Sequence, residues 1–231
     1  MCSDFREAVI VDVIDNIVNS IRETGTIITP VESPVGTYTC QSVNGLSSND
    51  VIMINSIDYV IVSATSTEIV FEAETGIDFE GEAWSAKAPY YFYGHISEIV
   101  DKLSELTNGG ILAYQKYPLI ALFNDFEERK FEGGKSASLN LIIANLTIPT
   151  YVAKDRYDNN FKPVLYPLLY NFEKALLKSK SVETINFEYT KIDRLFWGKE
   201  GLYKNEGNIF NDFIDAIEIN NLELKFKNNC L

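Results

Sequence analysis

Apolar positions in this chain change their period along its length, and each change marks a different kind of element. Between residues 4 and 24, Val9, Ile10, Val13, Ile14, Ile17, Val18 and Ile21 fall on one helical stripe. That spacing predicts an amphipathic helix packed by one face, capped by Ser3 or Asp4 and stopped at Thr24-Gly25. From Pro34 to Tyr93 the period shortens to short β-like runs: "VGTYTCQSV" (35–43), "DVIMIN" (50–55), "DYVIVSA" (58–64) and "TEIVFEA" (67–73). Turn material such as Asn44-Gly45 and Asn55-Ser56 separates them, the pattern of a small barrel or sandwich. The expected division is therefore an α+β core made of residues 1–33 and 94–231, interrupted by a β-rich insertion at 34–93. Trp84 and "APYYFYGH" (88–95) are expected to bring the chain back to that core.

Helical spacing resumes at 96–107 through Ile96, Ile99, Val100, Leu103 and Leu106, with Ser97 as the expected cap and Asn108-Gly109-Gly110 as the stop. "YPLIALF" (117–123) is apolar on both faces, as in a central strand. A charged stretch, "NDFEERKFEGGK", leads into "SASLNLIIANLTI" (136–148). There the apolar phase shifts from odd (Leu139, Leu141, Ile143) to even (Ala144, Leu146, Ile148), which predicts a β-bulge or a strand covered twice. These two strands are expected to form a long hairpin with a mobile charged tip. Further strands are expected at 183–190 and 217–226, giving a largely antiparallel sheet with helices on one side.

Between them lies "TYVAKDRYDNNFKPVLYPLLYNFEKALLKS" (150–179), with Pro163 and Pro167 inside an amphipathic run. A proline in a helix interior costs about 3 kcal/mol, so the helix is expected to begin near Lys162 with Pro163 in its first turn. "AKDRYDNNF" then reads as a separate short helix or turn, its charges free to meet a neighbouring subunit.

Charge changes the picture further. The 231-residue chain carries a net charge of −13. Residues 1–100 hold 15 acids against Arg6, Arg22 and Lys87, and the run from Glu68 to Glu82 contains no base. Such a surface repels phosphates, which disfavours a conventional nucleic-acid-binding role. Cys2, Cys40 and Cys230 are odd in number and widely spaced, a pattern of reduced thiols. With His95 the only histidine, no metal-ligand spacing exists, and no metal or cofactor is expected. No apolar run is long enough to cross a bilayer, and "MCSDFREAV" lacks the apolar region of a signal peptide, so a soluble chain is expected.

Templates for catalysis fit poorly. "EGGKS" (132–136) has Arg129 where a phosphate loop requires glycine. His95 has no nucleophile elbow beside it, and nothing in the spacing pairs it with Cys40. Glu72 and Glu74 share a parity and would supply paired carboxylates for a hydrolase, but exposed strand faces are ordinarily polar.

"YPLIALFNDFEE" followed by "SASLNLIIANLTIPTYVAKDRYDNNFKPVLYPLLYNFEKALLKS" resembles a pattern in virion proteins of tailed phages, covering roughly residues 114–179. The likeness is to neck, ring (connector) and tail-terminator-like proteins, crAss-like phages of Bacteroidetes above all. It lies in a Tyr-Pro strand, a long hairpin, an Arg-Tyr pair and the "FKPVLYP" helix start, and includes no catalytic residues. The resemblance implies a non-enzymatic structural subunit of a multimeric ring around the DNA exit channel. Its partners would be further copies of itself, the portal and other neck or tail proteins, with packaged DNA nearby. It would reside in the virion neck or tail, and in the host cytoplasm during assembly. Glu127, Glu128, Arg129, Lys154, Arg156 and Tyr157 are the residues expected at its interfaces. The alternative is a cytosolic module that binds a ligand or protein through the β insertion.

Overall fold

A computed structural model describes residues 10–21, 24–26, 36–41, 46, 48, 50–65, 68–74, 76–86, 89–108, 116–131, 134–196 and 212–227. Several expected features lie outside them: Ser3 and Asp4, Asn44-Gly45, Gly109-Gly110, the hairpin tip at positions 132–133, Cys2 and Cys230.

The chain has an α+β fold with two sheets, each with its own apolar interior. The first has the order β1 (Thr24–Thr26), β6 (Ala83–Ala86), β3 (Val51–Ile54), β4 (Ile57–Ala64), β5 (Glu68–Glu72) and β2 (Thr37–Gln41). β1 and β2 lie beside each other, so the sheet curls towards closure. Alternation does the rest: Ile52, Ile54, Tyr59, Ile61, Ile69 and Phe71 point inward and are buried. Tyr38, Tyr59, Phe71 and Phe79 pack there with ring centroids 4.7 to 5.7 Å apart. Asn55 and Ser56 both take positive φ between β3 and β4, the geometry a two-residue hairpin loop requires. Thr24-Gly25 does not stop a helix. The helix α1 spans Ile10–Ser20, and Thr24–Thr26 is recruited as an edge strand against Ser85, Trp84 and Ala83. Sheet membership therefore changes at Thr24, and again between Ala86 and Tyr90, where limits of 34 and 93 were expected from the sequence.

The second sheet has the order β11 (Val182–Phe196), β12 (Phe213–Lys227), β10 (Gly134–Leu146), β8 (Leu119–Phe123) and β7 (Tyr90–Gly94). Among the described residues only β7 and β8 pair in parallel in this sheet, and helix α2 (Ile96–Asn108) lies in the crossover between them. Helices cover both faces, not one. On the first face α1 and α4 (Tyr166–Lys178) pack on Leu139, Leu141, Ile143, Ile217 and Ile219. On the other, α2 packs on Leu119, Ala121, Ile142, Ala144 and Ala216. This explains the phase shift along β10: Leu141 to Ala144 are all buried, and the register against β12 shifts between Leu139 and Leu141. A strand buried on both sides reads as an unbroken apolar run.

The charged stretch after β8 is not a loose tip. Glu127–Phe131 is a strand, β9, paired antiparallel to the first part of β10 with Ala137 opposite Glu128. Likewise 183–190 is only part of a 15-residue strand that pairs along the final one.

The proline segment departs most from expectation. Ala153–Arg156 (α3), a π-helical segment at Tyr157–Leu165 and α4 follow one another without a break. Pro163 lies inside the π segment and Pro167 in the first turn of α4. Tyr166 N–H donates to Phe161 O, five residues back. A wider turn takes each proline ring off the carbonyl four residues earlier, the contact that breaks an α-helix. The rod is thus continuous from Ala153, and "AKDRYDNNF" is part of it.

Candidate functional site

The residues that the helical lead-in brings to the sheet define the most unusual environment in the described structure. Burial along the rod falls at Arg156, Asn160, Phe161, Val164 and Leu165, so one face of the π segment turns to the sheet. Arg156 points inward, towards the start of β12. Its Nη1 donates to Asp215 Oδ1 at 3.0 Å and to Thr147 Oγ1 at 3.2 Å, and its Nη2 donates to the Ile148 carbonyl at 3.2 Å. Asn160 Nδ2 donates to the other Asp215 oxygen at 2.9 Å, while its own Oδ1 accepts from Asn145 Nδ2 at 2.8 Å. The Phe213 ring centroid lies 5.0 Å from the guanidinium carbon. Arg156 and Asp215 are both fully buried.

A second buried cation reaches the residue just before β12: Lys116 Nζ is 3.0 Å from Asp212 Oδ2, with Lys116 fully buried. Tyr117 follows it, and burial, then the charge of Asp212, holds its phenol well above the ordinary range. Beside the Arg156 network opens a groove of about 520 Å³ between the first sheet and the π segment, bordered by Ser63, Tyr117, Asn145, Tyr151, Asn159 and Pro163.

Residues expected at interfaces separate into three environments. Glu127, Glu128 and Arg129 stand on β9, whose five residues are all exposed; Arg129 pairs with Glu127 at 3.2 Å and Lys135 approaches Glu128 at 3.9 Å. Lys154 is exposed and hydrogen-bonded to Asp158, which raises the Lys154 ammonium pKa above its usual value. Tyr157 is about half exposed. Arg156 is the correction: it cannot meet a partner, because its side chain is buried and spent on Asp215 of the same chain. Spacing alone could not separate it from Lys154, since Asp215 lies 59 residues away.

The groups considered for chemistry lie apart. His95 precedes α2 and forms a capping box: its backbone N–H donates to Glu98 Oε2 at 2.8 Å, and its Nδ1 accepts from Ser97 N–H at 3.3 Å. Ser97 is therefore inside the helix, and His95 holds the capping position assigned to it. Cys40 is buried in the first sheet's interior, where burial and then the charge of Glu68 push its thiol up to about 12. Glu72 ends β5 and Glu74 lies beyond it, both exposed. Among the described residues no group of three or more histidine, cysteine or acidic side chains is placed to hold a metal, and no helix is long and apolar enough to cross a membrane. Comparison with protein-family models, curated proteins and solved structures finds no match.

Proposed function

We propose that this chain is a structural subunit of a multimeric ring in the neck or upper tail of a tailed phage, joining portal to tail around the DNA exit channel. One observation carries the reading beyond the sequence likeness. β9 is a fully exposed, charged strand built on a long strand of the core. Ordering five residues costs backbone entropy that exposed side chains do not offset within the monomer, whereas a neighbouring subunit would cover them. The acidic first sheet supports the same reading, because a surface beside passing DNA must not hold phosphates.

Size-exclusion chromatography with light scattering and negative-stain micrographs, on the full chain alone and mixed with portal and neck proteins, tests it. The Glu127→Lys/Glu128→Lys variant is expected to stay folded and to assemble less. Rings unaffected by that variant would remove β9 from the interface. A monomer that ignores portal and neck proteins would overturn the reading. The groove of about 520 Å³ favours the second reading, a binding module, which a ligand-induced rise in melting temperature would support.

A further inference from the structure

The second sheet ends in two different strands, and the way each ends suggests how copies meet. At one side lies β7, "YYFYG", which holds no charge, no proline and no register shift against β8. Natural edges are ordinarily protected by one of those devices. Its backbone parity follows from two hydrogen bonds: Tyr90 N–H donates to the Pro118 carbonyl, and the Gly94 carbonyl accepts from Asn124 N–H. In a parallel pair a residue turns its N–H and C=O to the same side and its neighbours turn theirs to the other. Tyr90, Phe92 and Gly94 therefore face β8, and Tyr91 and Tyr93 direct their backbone groups to the side where no strand pairs among the described residues.

At the opposite side lies β11. Its register against β12 shifts between Asn186 and Glu188, and again between Ile192 and Leu195. Between those irregularities, Glu188–Ile192 runs without interruption for the same five residues as β7, and Glu188 to Lys191 are exposed. The faces also agree. Phe92 packs on the α2 side; Thr190 is opposite Glu218, which alternates with Ile217 and Ile219 of the α1/α4 side. Placing Phe92 beside Thr190 keeps both faces continuous, and because β11 runs opposite to β7 within the sheet, the contact between copies is antiparallel.

We propose that the Tyr90–Gly94 edge of one copy pairs with the Glu188–Ile192 edge of the next, so that the second sheet continues from subunit to subunit. Because the two edges differ, the contact is head-to-tail and repeats at every interface, as a closed ring requires. This rests on the ring reading above and names the contact that builds it.

The test uses the full chain with Cys2→Ser and Cys230→Ser at the highest soluble concentration. With Phe92 beside Thr190, Tyr93→Cys/Tyr189→Cys places the two thiols opposite each other across the antiparallel contact, and Tyr93→Cys/Lys191→Cys, two residues out of register, is the control. Tyr93→Cys/Tyr189→Cys is expected to give a covalent ladder of dimers, trimers and larger species on oxidation, with no ladder from the single variants and far less from the out-of-register pair. Tyr93→Pro removes an outward N–H together with the ring that meets Phe126, so it is compared with Tyr93→Ala, which loses the ring and keeps the N–H. The fold is kept in both, and self-association is expected to be weaker in Tyr93→Pro than in Tyr93→Ala by about fivefold or more, the worth of one net backbone hydrogen bond. If the parent chain associates but no ladder forms and Tyr93→Pro associates as well as Tyr93→Ala, the edge contact is wrong and the ring reading stands. If the parent chain stays monomeric both alone and mixed with portal and neck proteins, both fall.

Discussion

Arg156 Nη1 lies 3.0 Å from Asp215 Oδ1 with both side chains fully buried, and this pair ties the end of α3, just ahead of the π segment, to the first residues of β12. Buried charges cost several kcal/mol each to desolvate, and here the cost is offset by Thr147, Ile148, Asn160 and Phe213 as well as by the pair itself. Removing one partner strands the other. Arg156→Met is expected to lower unfolding free energy by about 3–5 kcal/mol in urea titrations. Arg156→Met combined with Asp215→Leu is expected to recover much of that loss. A double variant as unstable as the sum of the singles would show that the pair is not the unit.

Gly25 marks a different kind of constraint. A Cβ built on it would collide with the Trp84 indole, so β1 can approach β6 this closely only with glycine there. Gly25→Ala is expected to cost about 1–3 kcal/mol and to perturb the near-ultraviolet circular dichroism of the packed indole. Loss confined to the first sheet, with α2 and α4 still protected in hydrogen exchange, is the expected pattern.

Cys40 gives a reactivity and a pH prediction. Its thiol is neutral at physiological pH, raised from 9.0 to about 12, so it is expected to resist alkylation in the native chain and to react once unfolded. Mass spectrometry of the peptide containing Cys40 reads this directly. The folded state holds the proton more tightly than the unfolded one. Its contribution to stability is therefore complete below pH 9.0 and is lost as pH rises from there towards 12. Melting temperatures that rise through that range would contradict the assignment.

The capping box at α2 makes a prediction about order. Glu98→Ala removes the carboxylate that accepts from His95 N–H and is expected to cost about 1 kcal/mol. Ser97→Ala is expected to cost less, because Ser97 is not the capping residue. The ranking of the two effects in denaturant melts checks the boundary of the helix.

Local pattern made much of this legible. The stripe Ile10 to Val18, the alternation in β3 to β5 and the doubled apolar run of β10 are each properties of neighbouring residues, and each predicted its element. What pattern missed depends on distant chain. β1 is three residues that become a strand only because Ala83–Ser85 offers an edge. Charge made 124–135 look like a loop, yet β10 extends far enough to pair Glu127–Phe131. Two prolines signalled a break, but the π segment that absorbs them also follows a buried Arg156, whose partner belongs to the final strand. The second face of helix cover was present in the phase shift at Ile142 and Ala144, though either of two explanations fitted it.

β12 lies inside the second sheet, between β11 and β10, although it follows both in the chain. During synthesis β10 must therefore wait, its register against β12 along Gly134–Leu146 unfilled, until β12 has left the ribosome. The edges at β7 and β11 gain their final spacing only when that last strand slots in. Until β12 has emerged, the β7 and β11 edges belong to no common sheet, so under the proposed edge contact a nascent chain offers a neighbour nothing to extend.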